Sequence, residues 1–513
     1  MPRLAGVLRR MTSALVARWL LFVAVFSLAA VPPVDPDLWW HLANGRLIAA
    51  TGSVPRLDVY SFSASGQPWV VHEWLADLAM FGLHQLGGLP LLVGLFAGVV
   101  TVGAICLYSL LRGTGLNPTV ALLVTLAGAL SGSTAWGARP QLLNLLFSGV
   151  LVVGLVSYGR RRWAPLVLAP GIWLWANVHS GFLVGVIISL LYLAGEAFDA
   201  WRTARLAESR PWIIRLAAGI AAGVALSLVN PSGIQTILFP LGTLTSPLIQ
   251  NNIQEWASPD FHSLPGLLFE AIVFITLGGL ATGKVRPRSY EWLWAFALLF
   301  LALASQRNVP LFVIGAAPLV GRCAQALLVA LASILPADTG RPAAQAAIRW
   351  SPAQPGPPTL TLALINLVLL LVVGAGMIVY RALPSLRATD EAAAIAAVSP
   401  VQAAGALHAL GKPVRVFNYY DYGGYLVWQL YPDGSRVFID GRVEVYGPQV
   451  FSRYLRVSYL ADGWQDVIAE DRPDAIVMPT AHPITGLLSR DPTWQRIDRD
   501  RVATVFIRVG FAP

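Results

Sequence analysis

The chain has 513 residues, 56% of them hydrophobic and only 12% charged, and its mean hydropathy is +0.62. A soluble core of this size cannot hide that much apolar surface, so the composition excludes an ordinary soluble protein and predicts a polytopic α-helical membrane protein. The net charge of +9 does not point to nucleic acid, because the basic residues sit in short clusters between apolar segments, as membrane topology requires.

Arg3, Arg9, Arg10 and Arg18 precede an apolar run that ends in VPPVDPDLWW and lacks a small-residue cleavage site. It reads as an uncleaved first span. Span-like stretches then recur, near residues 13–33, 89–111, 118–135, 140–158, 163–178, 181–198, 212–229, 266–282, 290–304, 309–334 and 359–380, about eleven in all. With a cytoplasmic N-terminus, the inside loops carry Arg112, Arg160, Arg161, Arg162, Arg202, Arg205, Arg210, Lys284, Arg286, Arg288, Arg341 and Arg349. The outside segments between spans keep Arg46, Arg56, Arg139 and Arg307. That asymmetry follows the positive-inside rule and places the C-terminus outside a cell (inner or cytoplasmic) membrane. Cys106 and Cys323 lie in apolar segments and have no metal-site or disulfide spacing.

The expected organisation is a transmembrane bundle over 1–381, with a long first outer loop at 34–88, and an extracytoplasmic α/β domain over 382–513. Within the loop, LWWHLANGRLIAATG and HEWLADLAMFGLHQLGG have the amphipathic spacing of interfacial helices. A second outer region, 230–265, contains NNIQEWASPDFH, and the Pro-rich SPAQPGPPT at 351–359 reads as a loop. In the tail, EAAAIAAVSPVQAAGALHAL is helical, VRVFNYY β-rich, SRVFID a strand, PQVFSRYLRVSYL helix-like and DAIVMP a strand. That alternation predicts a small domain with a mostly parallel sheet. No internal repeat is present.

Asp35 and Asp37 stand at the outer end of the first span, and Asp37 and His41, four apart, share one face of a helix. One reading makes Asp37 a helix cap and the tryptophans interfacial anchors. A second polar cluster at the loop's far end, WVVHEWLAD with His72, Glu73 and Asp77, favours chemistry. Carboxylates flanking a membrane-edge cavity suit a base that deprotonates an acceptor, or ligands for a divalent cation (Mg or Mn) that holds a phosphate.

A cytoplasmic start, one span and a first outer loop opening on a DxD-like motif resemble the layout of GT-C glycosyltransferases. That superfamily includes protein O-mannosyltransferases, aminoarabinose transferases and the catalytic subunit of oligosaccharyltransferases. FNYYDYGGYLVW, 417–428, resembles the WWDYG stretch of oligosaccharyltransferases, with Tyr419 and Tyr420 at the tryptophan positions, then Asp421, Tyr422 and Gly423. Both tryptophans are replaced, so peptide-acceptor specificity does not carry over. The alternative is a strand and glycine turn in which Asp421 caps the next helix. VFIDGRVEVYG places Asp440 and Arg442 at a strand end, where α/β domains expose functional groups. By position, Glu255 is similar to the acidic residue of a later outer loop in oligosaccharyltransferases. Arg139 and Arg307, at outer span ends, suit a lipid-linked phosphate or ordinary snorkelling. Asn177 and His179 lie at another outer end.

The resemblance implies an inverting transfer of sugar from a polyprenyl-phosphate donor to a glycan, lipid or protein acceptor on the outer face of the membrane, without nucleic acid. Asp37, Asp35 and Glu73 are then the expected catalytic residues, Asp35 and Asp37 also the metal ligands. His41, His72, Arg139, Glu255, Arg307, Tyr420, Asp421, Tyr422, Asp440 and Arg442 are the expected substrate-binding set. A transporter or flippase, the main alternative, predicts charges within spans and broken helices in two matching halves. A non-catalytic assembly protein would leave the first loop's acids dispensable.

Overall fold

A computed structural model describes residues 11–244, 246–334 and 358–511. Arg3, Arg9, Arg10, Arg341, Arg349 and most of the 351–359 segment lie outside the described residues. Among those described, six helices are long and apolar enough to cross a membrane: Trp74–Gly113, Pro140–Tyr158, Phe182–Arg202, Leu264–Ala281, Ala317–Ile334 and Leu360–Leu386. Four shorter apolar helices accompany them, Ser13–Ala29, Pro118–Ser131, Ala164–Val178 and Ser289–Ala304. Against the expected count of about eleven, only these six among the described residues reach span length, since hydrocarbon thickness asks for about 20 residues.

Two expected spans take a different form. The 89–111 stretch is the lower part of the 40-residue helix Trp74–Gly113, which starts in the outer loop and kinks where Gly87 and Gly88 leave helical geometry. The 309–334 stretch divides into Val309–Gly315 and Ala317–Ile334. The bundle interior packs Leu107, Leu111, Phe182, Trp294 and Phe312 together. Phe296, Phe300, Leu371 and Val372 are exposed instead, which fits surfaces facing lipid tails.

The C-terminal domain holds a five-stranded sheet in the order β2-β1-β3-β5-β4, with β1 Arg415–Asn418, β2 Arg436–Val437, β3 Ala475–Pro479, β4 Trp494–Arg499 and β5 Ala503–Arg508. Only β2, β1 and β3 run parallel; β5 is antiparallel to both β3 and β4. The mostly parallel expectation thus holds for half the sheet. The other half is a hairpin whose turn is tied by Asp500 Oδ1, which accepts from the N–H groups of Val502 and Ala503, both at 2.7 Å.

The first outer loop covers the exposed edge of this sheet. Val437 N–H donates to the Tyr60 carbonyl at 3.1 Å, and Phe62 N–H donates to the Val437 carbonyl at 3.0 Å. Pairing the β2 edge in this way removes a row of open backbone groups. Leu38, Trp39, Trp40 and Leu42 of the loop share one apolar core with Val416, Phe417, Phe438, Ile439 and Phe506 of the domain. The loop and the domain therefore sit on the same side of the bundle.

Asp440 and Arg442 do not face solvent as their strand-end position predicts. Arg442 is fully buried, its Nη2 2.6 Å from Asp440 Oδ2 and its Nη1 2.9 Å from Asp58 Oδ1, with the guanidinium against the rings of Tyr60 and Trp69. A lone buried charge is costly, so the two carboxylates and two rings explain how it is held there. It clamps the loop to the domain.

Candidate functional site

The 36–51 helix begins at Asp35, whose Oδ1 accepts from the Asp37 N–H at 2.9 Å, and Pro36 follows at the first helical position. Asp35, not Asp37, is thus the cap, and Asp37 is free for other work. Asp37 Oδ1 accepts from Trp40 Nε1 at 3.1 Å, and Oδ2 lies 3.6 Å from Arg139 Nη1. Arg139 Nε pairs with Asp35 Oδ2 at 2.9 Å, and its Nη2 contacts Glu255 Oε1. One guanidinium therefore joins three carboxylates from two distant segments. Arg307 lies over the Trp256 ring, 4.8 Å from its centroid, and its charge acts on Glu255.

Asp37 is the most open member of this group, its side chain 32% exposed against 15% for Asp35 and 12% for Arg139. Burial and then the negative charge of Asp35 push its carboxyl up to about 7, against the opposing pull of Arg139. Glu255 goes the other way: burial alone would raise it, but Arg139 and Arg307 hold it below the ordinary glutamate range.

The C-terminal domain closes on this corner. A Cβ on Gly424 would collide with the Pro36 carbonyl oxygen, so that position needs hydrogen, and one on Gly441 would meet Asp37 Oδ1 and displace the carboxylate. Tyr420 Oη donates to the Gly441 carbonyl at 3.3 Å, and the Asp37 charge acts on the phenol. Tyr422 points elsewhere, its Oη donating to the Val502 carbonyl at 2.9 Å. Asp421 is exposed and does not cap the following helix, whose N-cap is Tyr422 without a side-chain cap bond. Of the resembling stretch, Tyr420 and Gly424 thus reach the site.

Below Asp37 lies a second, more buried cluster. His41 Nδ1 is 2.6 Å from Asp77 Oδ1, and Asn44 Nδ2 donates to Asp77 Oδ2 at 2.6 Å. Glu73 stands at the start of the long helix among three imidazoles: His179 Nε2 at 2.8 Å, His72 Nε2 at 3.3 Å and His41 Nε2 at 3.5 Å. Burial would lower His72, but the Glu73 carboxylate overrides it and pushes the imidazole up to about 9. Burial likewise works to raise Glu73, but the three histidines hold it well below the ordinary range. His41, Glu73 and Asp77 each offer a ligand atom within 4.8 Å of the others, so this group can hold a metal ion.

The resemblance places a divalent cation on Asp35 and Asp37, and the residues there do not fit one. Both Asp35 oxygens are engaged, one by the backbone N–H and one by Arg139, and the guanidinium already stands where the carboxylates converge. A dication and a guanidinium repel each other at that position. Asn44 lies outside the expected site, and Asp77 belongs to the loop's polar cluster without an expected role of its own. Asn44 is three residues after His41 and Asp77 four after Glu73, a helical spacing that carries a signal only once both helices are known to meet.

No protein-family model and no curated protein matches the sequence. Among solved structures, the fold is shared with an archaeal oligosaccharyltransferase. The apo Archaeoglobus fulgidus oligosaccharyltransferase superposes with a TM-score of 0.54 at 11% identity, over 90% of this chain and 69% of that one. The same organism's oligosaccharyltransferase AglB, in complex with an inhibitory peptide and a dolichol-phosphate, gives 0.55 at 10% identity over the same shares. ArnT from Cupriavidus metallidurans bound to undecaprenyl phosphate aligns over 97% of this chain and 98% of that one at 16% identity, with a TM-score of 0.46.

Proposed function

We propose that this protein is a membrane glycosyltransferase that moves a sugar from a polyprenyl-phosphate-linked donor to an acceptor at the outer face of the membrane. The observation that carries the reading is Asp37: a partly open carboxylate, relieved of capping by Asp35 and set beside Arg139 at the bundle's rim. The fold shared with AglB, solved with a dolichol-phosphate, supports the donor class.

Asp37 takes the acceptor's hydroxyl proton as the oxygen attacks the anomeric carbon, and the bond to the lipid phosphate breaks on the opposite face, inverting the centre. Arg139 and Arg307 offer guanidinium donors to the departing phosphate, which arrives with its prenyl tail among the apolar helices. Tyr420 borders the acceptor side. The positive-inside distribution supports a cytoplasmic N-terminus, with the first loop and C-terminal domain outside.

Asp37→Asn tests the assignment, since the amide keeps shape and removes the base. Transfer from a polyprenyl-phosphate sugar pool in membranes should fall on the order of a hundredfold or more, with the protein still folded. Transfer at the parent rate would remove Asp37 from the chemistry.

A further inference from the structure

The helices that adjoin Arg139, His179 and Arg307 carry a different surface at their far ends. Glu196 is buried in the last turns of the Phe182–Arg202 helix. Its Oε2 accepts from Arg160 Nη2 at 2.5 Å, and its Oε1 lies 3.9 Å from Arg288 Nη1. Nearly one turn on, the Asp199 carboxylate accepts from the Ser289 hydroxyl at 2.7 Å and from its N–H at 3.1 Å. Trp212 Nε1 donates to the Gly159 carbonyl at 2.7 Å. These bonds gather three segments into one place: the 159–163 connection, the start of the Leu206–Ser227 helix and the 282–288 connection.

The acids are consumed in that construction, and most of the cations are not. Glu291 is likewise taken, by Arg322 and by the Arg288 N–H. Arg161, Arg162, Arg205, Arg210, Arg215 and Arg286 are exposed and join no ion pair among the described residues. Aromatic rings stand beside them: Tyr158 lies 5.7 Å from Trp163 and Phe198 5.6 Å from Trp201, all four exposed. Amphipathic rings of this kind settle at the headgroup level of a bilayer. Next to them, the exposed Leu166, Val167 and Leu190 continue as an apolar flank.

We propose that this face binds the headgroup of an anionic phospholipid, in the leaflet opposite the candidate site. Arg161, Arg162 and Arg286 supply guanidinium donors to the phosphate, whose oxygens suit their planar fork. Arg160 and Arg288 share Glu196 and so fix the spacing of the two connections that carry those donors. Cations at headgroup level above an apolar flank match a ligand that joins a phosphate to acyl chains. An acidic protein or a nucleic acid would meet the charges but leave the rings and the flank unused.

The site stands apart from the transferase reading, because binding is measured without donor or acceptor. Full-length protein in detergent is titrated with phosphatidylglycerol and with phosphatidylcholine of the same acyl chains, and bound lipid is counted by native mass spectrometry. Phosphatidylglycerol should bind roughly 10–100-fold more tightly, since each cation near the headgroups is worth roughly fivefold. The variant Arg161→Gln/Arg162→Gln/Arg286→Gln should lose that preference, whereas Arg490→Gln, exposed on the C-terminal domain, should keep it. Equal affinity of the parent protein for the two lipids overturns the proposal, and that comparison depends on no variant folding. So does a preference retained by the triple variant. Displacement of the bound lipid by an equal concentration of glycerol 1-phosphate also overturns it, because the face would then read phosphate alone.

Discussion

Asp35 and Asp37 show how two like residues, two apart, acquire different work. The backbone turn into the helix takes one oxygen of Asp35 and Arg139 takes the other, whereas Asp37 keeps a partly open oxygen. The environment then tunes it: with its carboxyl at about 7, Asp37 is protonated below that pH and ionised above it. A base works only when ionised, so kcat/KM should rise with pH through about 7 and level off above. A profile that stays flat from about pH 5 to 9 would show that Asp37 is not the base. Arg442 is a contrasting case, a charge used for construction. Arg442→Met would leave Asp58 and Asp440 buried without their cation, a loss of about 3–5 kcal/mol that thermal unfolding of the parent and variant would measure.

At the scale of elements, the site exists because the 36–51 helix is pinned between the long Trp74–Gly113 helix and the C-terminal domain. Asp77 of the long helix holds His41, and Arg46 Nη2 donates to the Trp428 carbonyl at 2.8 Å with its guanidinium over that ring. Gly441 allows the domain to touch Asp37. Gly441→Ala should push the carboxylate away from Arg139, costing about 1–3 kcal/mol by overpacking and lowering transfer more than acceptor binding. Comparison of kcat with KM for the acceptor tests this; an unchanged kcat would mean the contact only packs.

At the scale of the whole molecule, the first loop and the C-terminal domain form one body above the helices, so they must share a compartment. Cysteines placed at Ser65 and Ser489, both exposed, should react with an impermeant maleimide in intact cells. The native Cys106 and Cys323 are buried and add little background. Labelling only after permeabilisation would invert the topology.

Composition alone determined the membrane class, because 56% hydrophobic residues leave no soluble alternative, and the tail's change of pattern marked where the C-terminal sheet domain begins. The acids and histidines of the first loop were also legible, as ionisable groups are scarce and conspicuous beside a span. Their partners were not. Arg139 lies about a hundred residues from Asp37 and Glu255 as far again, and nothing local links them. The roles of Asp35, Asp440 and Arg442 turned on which atoms face a neighbour, and the β4–β5 hairpin reversed half of a sheet that alternation alone reads as parallel. Periodicity along a chain reports one element's exposure to its surroundings. Which carboxylate meets which cation is decided by packing between elements, and only the tertiary structure holds that information.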